Sequence, residues 1–273
     1  MASSVSQQAY ADTAEKLAAE TGTATAAQLA TVADEILSVA ALLRAQPRLR
    51  RALTDPSRAG SERAELLRSL LAGKIAKVTV DALGTLVAGR FSRPSELLDA
   101  TERLGVETLL ASAEKDGGLA DVEDELFRFG QIVSGNPALA VTLSDPGAPM
   151  ERRVKLVQDL LKGKVQLVTG KLVEVALQGF GGRSFETSLT RLVELTAARR
   201  DREVAYVTVA KPLTDADEQA LAGKLSDMYG RQVSLKVEVD PSVIGGVSVR
   251  VGSDLYDGTI LRRLTAAKQA FAK

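Results

Sequence analysis

The sequence predicts a mainly α protein with a small α+β domain at its C-terminal end: two tandem helical bundles, then a small mixed sheet packed on helices. Three observations predict this. Up to about residue 200 the apolar residues recur at helical spacing. Within that stretch the Pro and Gly punctuation repeats at a constant offset of 90 positions. Beyond it the pattern switches to period two, most clearly in residues 233–252. There Val233, Leu235, Val237 and Val239 alternate with polar residues, Asp240-Pro241 interrupts, and Val247, Val249 and Val251 alternate again, which reads as a hairpin-like pair of strands.

The opening helix is expected from about Ser4 to Glu20, with Tyr10, Ala11, Ala14, Leu17 and Ala18 at helical spacing and Thr21-Gly22-Thr23 ending it. A second helix carries Leu29, Val32, Ala33, Ile36, Leu37, Ala40 and Leu43 on one stripe, and Pro47 closes it. From there the repeat is visible. Val32 meets Val122, Asp34-Glu35 meets Asp124-Glu125, Pro47 meets Pro137 and Asp55-Pro56 meets Asp145-Pro146. Leu70-Leu71 meets Leu160-Leu161, Gly73-Lys74 meets Gly163-Lys164, Thr79 meets Thr169 and Gly89 meets Gly179. The register slips by one residue in the last helix, where Leu98 and Leu104 align with Leu189 and Leu195. Each Pro or Gly fixes a helix end, so coincidence at so many positions points to duplication of a five-helix unit, about 26–113 and 118–202. The expected domains are therefore 1–114 (opening helix plus first copy), 115–202 (second copy) and 203–273.

In the last domain Glu203–Ala210 reads as a strand. Thr214 with Asp217 reads as the N-cap of a helix ending at Tyr229-Gly230, and the two strands of residues 233–252 follow. Asp254–Gly258 gives a short strand and turn, and Ile260, Leu261, Leu264 and Phe271 mark a final amphipathic helix.

Composition bounds the chemistry. Hydrophobic residues make up 45% and charged residues 26%, an ordinary globular balance, but aromatics are only 4% and Trp is absent. Cores built of Leu, Val and Ala suit helix packing better than a large ligand pocket. The absence of Cys and His removes disulfides, thiolate nucleophiles, the usual zinc ligand sets and imidazole acid–base catalysis. Lys+Arg and Asp+Glu are both 35, so the basic excess that drives phosphate-backbone binding is missing and no nucleic-acid partner is expected. The clusters Arg48, Arg50, Arg51 and Arg199, Arg200, Arg202 read as solvated helix faces. No apolar run is expected to span a membrane, and Met1–Gln8 lacks the basic residues and apolar core of a signal peptide.

Three stretches invite a catalytic or binding reading, and each has a plainer one. Residues 161–172 faintly suggest a phosphate loop, but six residues separate Gly163 from Gly170, and Leu172 stands where Ser or Thr would hold magnesium. Gly179-Phe180-Gly181-Gly182-Arg183 has no strand before it and reads as a helix–helix turn. Asp121, Glu123, Asp124 and Glu125 could gather a cation, yet they fall near a helix start where acids favour the macrodipole. No catalytic, cofactor-binding or metal-ligating residue is marked out, and no cofactor is expected.

The glycines of Ile244-Gly245-Gly246 shape a turn or bulge. Their surroundings add more. Alternating apolar residues, Asp240-Pro241-x-apolar-x-Gly245-Gly246, apolar-x-apolar-Arg250-x-Gly252, Asp257-Gly258-Thr259 and then the basic Arg262-Arg263-Leu264 closely resemble the C-terminal signature of the ATP synthase delta subunit family. That family is the bacterial counterpart of the oligomycin-sensitivity-conferring protein. The strand at Val204–Val209, Pro212-Leu213-Thr214 before a helix, and Tyr10-Ala11 followed by Leu17 also fit it.

The resemblance implies a non-catalytic stator part. Members usually carry one six-helix bundle and the small α/β domain, so the extra 90-residue copy departs from the pattern and leaves open which copy takes the usual place. By resemblance, the N-terminal bundle holds amphipathic N-terminal helices of alpha subunits in grooves, with Tyr10, Ala11, Ala14, Leu83, Leu86 and Val87 as candidates. The C-terminal domain grips the b subunit, with Val243, Ile244, Ile260 and Leu264 as candidates. The implied location is the cytoplasmic face of a bacterial plasma membrane, peripheral and held through these partners. A different helical adaptor reusing the same domain, or a small-molecule-binding regulator built on it, is the alternative.

Overall fold

The computed structural model describes residues 4–200, 202–230, 232–243, 245–251 and 254–258. It divides into two compact units, residues 1–192 and 193–273.

The first unit opens with α1 (Ser4–Glu20) and then shows the same series twice. In the first copy this is α2 (Ala26–Ala45), α3 (Pro47–Leu53), α4 (Gly60–Leu71), α5 (Lys77–Ala88) and α6 (Pro94–Lys115). In the second it is α7 (Leu119–Ser134), α8 (Pro137–Ser144), α9 (Met150–Leu161), α10 (Leu167–Leu177), a 3-10 turn at Phe180–Gly182 and α11 (Phe185–Arg199), whose end passes into the second unit. Pro47 and Pro137 sit in the first turn of α3 and α8, where their missing N–H costs nothing. Gly73 and Gly163 both take left-handed φ, +72° and +68°, so the turn before α5 and before α10 is the same turn.

The duplication extends to burial. Val32, Ile36, Leu43, Leu53 and Leu67 are buried in the first copy, and Val122, Leu126, Val133, Leu143 and Val157 at the same offset in the second. Phe129 of α7 meets Phe185 of α11 edge to face, with ring centroids 6.5 Å apart. Helix α2 is long and apolar enough, by length and composition, to cross a membrane, which corrects the expectation that no segment would be. Ala and Leu are dense on both its faces. In the fold its stripe from Val32 to Leu43 packs in the core, and Asp34, Glu35 and Arg44 each bond a neighbouring element.

The acidic stretch of α7 also needs correcting. Of the four acids only Asp121 lies in the first turn of the helix. Glu125 reaches the start of α10 instead, accepting from the Gln166 N–H at 3.0 Å and from the Thr169 hydroxyl. Glu35 does the same for α5, through the Ala76 N–H at 3.0 Å and the Thr79 hydroxyl. A carboxylate on orphan N–H groups at a helix N-terminus is favoured by both hydrogen bonding and the dipole.

The second unit holds β1 (Arg202–Val209), α12 (Asp215–Tyr229), β2 (Gln232–Val239), β3 (Val247–Val251) and β4 (Asp254–Asp257). Thr214 caps α12 by accepting from the Asp217 N–H at 3.2 Å, and Gly230 ends it in the left-handed conformation. The sheet order is β2-β1-β3-β4, with β1 parallel to β2 and antiparallel to β3. Residues 233–252 are therefore two strands but not a hairpin: β1 lies between them. The Asp240 N–H donates to the Val209 carbonyl at 2.8 Å, and the 3-10 turn Pro241–Val243 follows, taking the chain past the end of β1. One face of the sheet, with Ala205, Val207, Val233 and Val249, packs with Leu225 of α12. The expected helix with Ile260, Leu261, Leu264 and Phe271 lies outside the described residues.

Candidate functional site

Two surfaces follow from the sequence candidates, one in each unit. In the first unit α1 lies along α5. Ala9 seats against Gly89, where an added Cβ would stand 2.3 Å from the Ala9 Cβ, so only glycine permits this approach. Lys16 Nζ donates to the Thr85 hydroxyl at 3.2 Å, and the Arg103 guanidinium of α6 sits 4.3 Å over the Tyr10 ring. On the outer side of α5, Lys77 and Asp81 pair at 2.6 Å; that hydrogen bond holds the Asp81 carboxyl below its ordinary range and the Lys77 ammonium above its own.

Of the candidate groove residues, Leu83, Leu86 and Val87 are 1%, 0% and 2% exposed and Tyr10 is 8%. They belong to the core of this chain, so they form the floor under the α1–α5 face and not its surface. The helical spacing that singles out a groove-lining residue singles out a core residue equally. Ala14 is half-buried and packs against that core, while Ala11 is exposed.

The second surface is the sheet end of the C-terminal unit. Val243 is half-buried in the 3-10 turn. Ile244, Ile260 and Leu264 lie outside the described residues, as does Gly252. The remaining signature residues have structural work. The Asp240 carboxylate is held below its ordinary range by hydrogen bonds from Ser242, whose N–H lies 2.8 Å away, and Pro241 starts the turn. Gly245 and Gly246 carry φ of 154° and 86° between Val243 and β3. Arg250 stacks over the Tyr206 ring at 4.7 Å, and Asp257 pairs in register with Ser248. The Gly258 N–H donates to the Val247 carbonyl at 2.9 Å. On α12 the Tyr229 hydroxyl bonds Tyr256 at 3.1 Å and Asp254 at 3.0 Å, which pushes its pKa up.

One cluster had no counterpart among the sequence candidates. Arg44 of α2 pairs with Glu102 of α6 and donates to the Gln178 carbonyl at the end of α10, while Glu102 accepts from the Gly181 N–H at 2.9 Å. Glu102 is 2% exposed. Lys171 of α10 meets Asp34 of α2 at 2.5 Å. These contacts join the two copies. Helix α6 thus serves both, packing on α2 and reaching the end of α10 much as α1 reaches the end of α5. Among the described residues no group of three or more acidic side chains is placed to hold a metal ion.

The family model for the ATP synthase delta (OSCP) subunit matches this chain twice, over residues 7–105 and 106–271. The ATP synthase subunit delta of Salinispora arenicola is 58% identical over all of both chains, and that of Salinispora tropica 56% over all of both. The ATP synthase subunit delta of Streptomyces griseus is 42% identical, covering 98% of this chain and 99% of its own. Two matches in tandem reproduce the repeat seen in the helices, and the identity runs end to end: the chain belongs to the ATP synthase delta (OSCP) subunit family.

Proposed function

We propose that this chain is a non-catalytic stator subunit of an F-type ATP synthase, linking the catalytic head to the peripheral stalk. The observation that carries the reading is the end-to-end identity with delta subunits, 58% over the full length of both chains. Head binding is assigned to the first unit, where amphipathic helices of alpha subunits lie on the α1–α5 face around Ala11 and Ala14. Tyr10, Leu83, Leu86 and Val87 keep that face rigid from beneath. A helix-in-groove contact needs an apolar, close-packed seat of this kind. Binding to the b subunit is assigned to the C-terminal unit around Val243, with Ile244, Ile260 and Leu264 as further candidates. The subunit sits at the cytoplasmic face of a bacterial plasma membrane through these partners. Its work is mechanical: it resists rotor torque, so that proton flow turns the shaft relative to the head.

The burial pattern chooses the test. A charge at Tyr10 would unfold the core, whereas Ala11 is exposed. Ala11→Arg is expected to weaken binding of an alpha N-terminal peptide while binding to the soluble b region and the melting temperature stay unchanged. Undiminished alpha binding would move the head contact elsewhere on the unit.

A further inference from the structure

The two copies of the repeat have diverged in charge at one end. The first copy carries Arg48, Arg50, Arg51, Arg58 and Arg90; at the same offset the second carries Ala138, Ala140, Val141, Ala148 and Phe180. Between the loop ahead of α4 and the loop ahead of α6, the first copy opens a cleft of about 520 Å³. A second hollow of about 420 Å³ shares Thr54, Pro56, Phe91 and Ser92 with it, so the two form one trough. Arg51, Arg58, Arg63 and Arg90 line it. The acid in the lining, Asp55, is already engaged. It accepts from the Ser57 N–H at 2.9 Å and the Ser57 hydroxyl at 2.7 Å, and lies 3.9 Å from Arg58. In a chain of formal net charge +0, this is a local excess of positive charge.

The arginines divide their labour, and the division sets the shape of the ligand. Arg63, 5% exposed, uses every N–H on backbone carbonyls: Val87 at 3.3 Å, Asp55 at 3.2 Å, Arg58 at 2.7 Å, Ala88 at 3.2 Å and Gly89 at 2.7 Å. It bolts the two walls together and offers no donor to the trough. The free donors are on the rim. Arg51 and Arg90 are exposed and have no side-chain partner among the described residues, and Arg58 is half in solvent beside Asp55. Arg51 stands on α3, Arg58 on the loop ahead of α4 and Arg90 on the loop ahead of α6, so the guanidiniums reach the trough from three different segments of the chain. They suit carboxylates spaced along a chain, each met by its own planar fork, and Phe91 and Pro56 give apolar surface for glutamate methylenes.

We propose that this trough docks an extended acidic segment of a partner protein, whose carboxylates pair with Arg51, Arg58 and Arg90. The inference does not depend on the assignment of the α1–α5 face. The test uses the full chain and a fluorescently labelled peptide of alternating Glu and Gly, with the Gln peptide as the neutral control and anionic phosphatidylglycerol vesicles as the membrane control. Anisotropy is expected to show binding of the Glu peptide only, weakening steeply as salt rises past about 0.1 M. R51Q/R58Q/R90Q should weaken it about tenfold, as three exposed pairs allow. K74Q/K162Q/K164Q, which removes the same charge from exposed turns, should leave it unchanged. Any of four results overturns the proposal: no peptide binding at about 1 mM, equal binding of the Gln peptide, equal loss in both variants, or tighter arginine-dependent binding to vesicles than to peptide.

Discussion

Replacing Gly89 by Ala tests how the α1–α5 face is built. Gly89 has φ −65° and ψ 175°, open to any residue, so the substitution strains no backbone. What it adds is a Cβ 2.3 Å from the Ala9 Cβ and 3.1 Å from the Leu86 carbonyl oxygen. Carbon atoms rest at about 3.5–4.0 Å, so α1 must retreat by more than about 1 Å at this point. Overpacking of this kind costs about 1–3 kcal/mol. The reduced freedom of the unfolded chain offsets about 0.4–1 kcal/mol of that. The net expectation is a loss of about 1–2 kcal/mol, concentrated in α1.

Ala9→Gly alone should cost about 0.5–1 kcal/mol through helix propensity. In the double variant, however, the nearest Ala9 atom left is the Cα, at 3.5 Å. The two changes should therefore couple favourably by about 1 kcal/mol or more. Hydrogen exchange of the α1 amides reads this directly, and alpha-peptide binding should fall in Gly89→Ala and recover in the double variant. Strictly additive effects would show that Ala9 and Gly89 do not meet, and the face would have to be redrawn.

Further outcomes follow from the repeat and the turns. Glu35→Gln and Glu125→Gln should each cost about 1–2 kcal/mol by weakening a charge-assisted cap, with exchange protection falling at the start of α5 in one and of α10 in the other. Arg63→Ala should cost about 3 kcal/mol or more in urea unfolding, because it takes the side-chain donor from the Val87, Ala88, Gly89 and Arg58 carbonyls and leaves the Asp55 carbonyl only the Arg58 N–H. Arg153→Ala, at the matching position, loses the Leu143 carbonyl bond and should cost about 1 kcal/mol. The Asp240 carboxyl should titrate below its ordinary 3.8 by NMR, and Ser242→Ala should raise the midpoint. Since the folded value is the lower one, its contribution to stability is present above the unfolded pKa and is lost as pH falls through the folded one.

Helix existence and the duplication were legible because Pro47/Pro137 and Gly73/Gly163 are local chemistry: a missing N–H and a left-handed φ are properties of single residues. The capping of α12 by Thr214 and Gly230 was legible for the same reason. Strand neighbours were not. Alternation in residues 233–252 tells which face a side chain takes but not which strand lies beside it, and β1 came between. The roles of Glu35 and Glu125 could have been found, since each stands 44 residues before its Thr partner in both copies. Burial was the least legible, because Tyr10, Leu83, Leu86 and Val87 carry the same periodicity whether they face a partner or the core. The junction that Arg44 and Glu102 make with Gln178 and Gly181 rests on pairing between copies, which no spacing within one copy reveals.

The measurement that bears most directly on the stator reading is ternary assembly. The full chain, the soluble catalytic head and the soluble b-subunit region are mixed at micromolar concentration and resolved by size exclusion. The three are expected to co-migrate, with Ala11→Arg losing the head while retaining b and Val243→Asp doing the reverse. If neither partner co-migrates with the chain, or if both variants lose both partners while remaining folded, a link made of two separate contacts is contradicted.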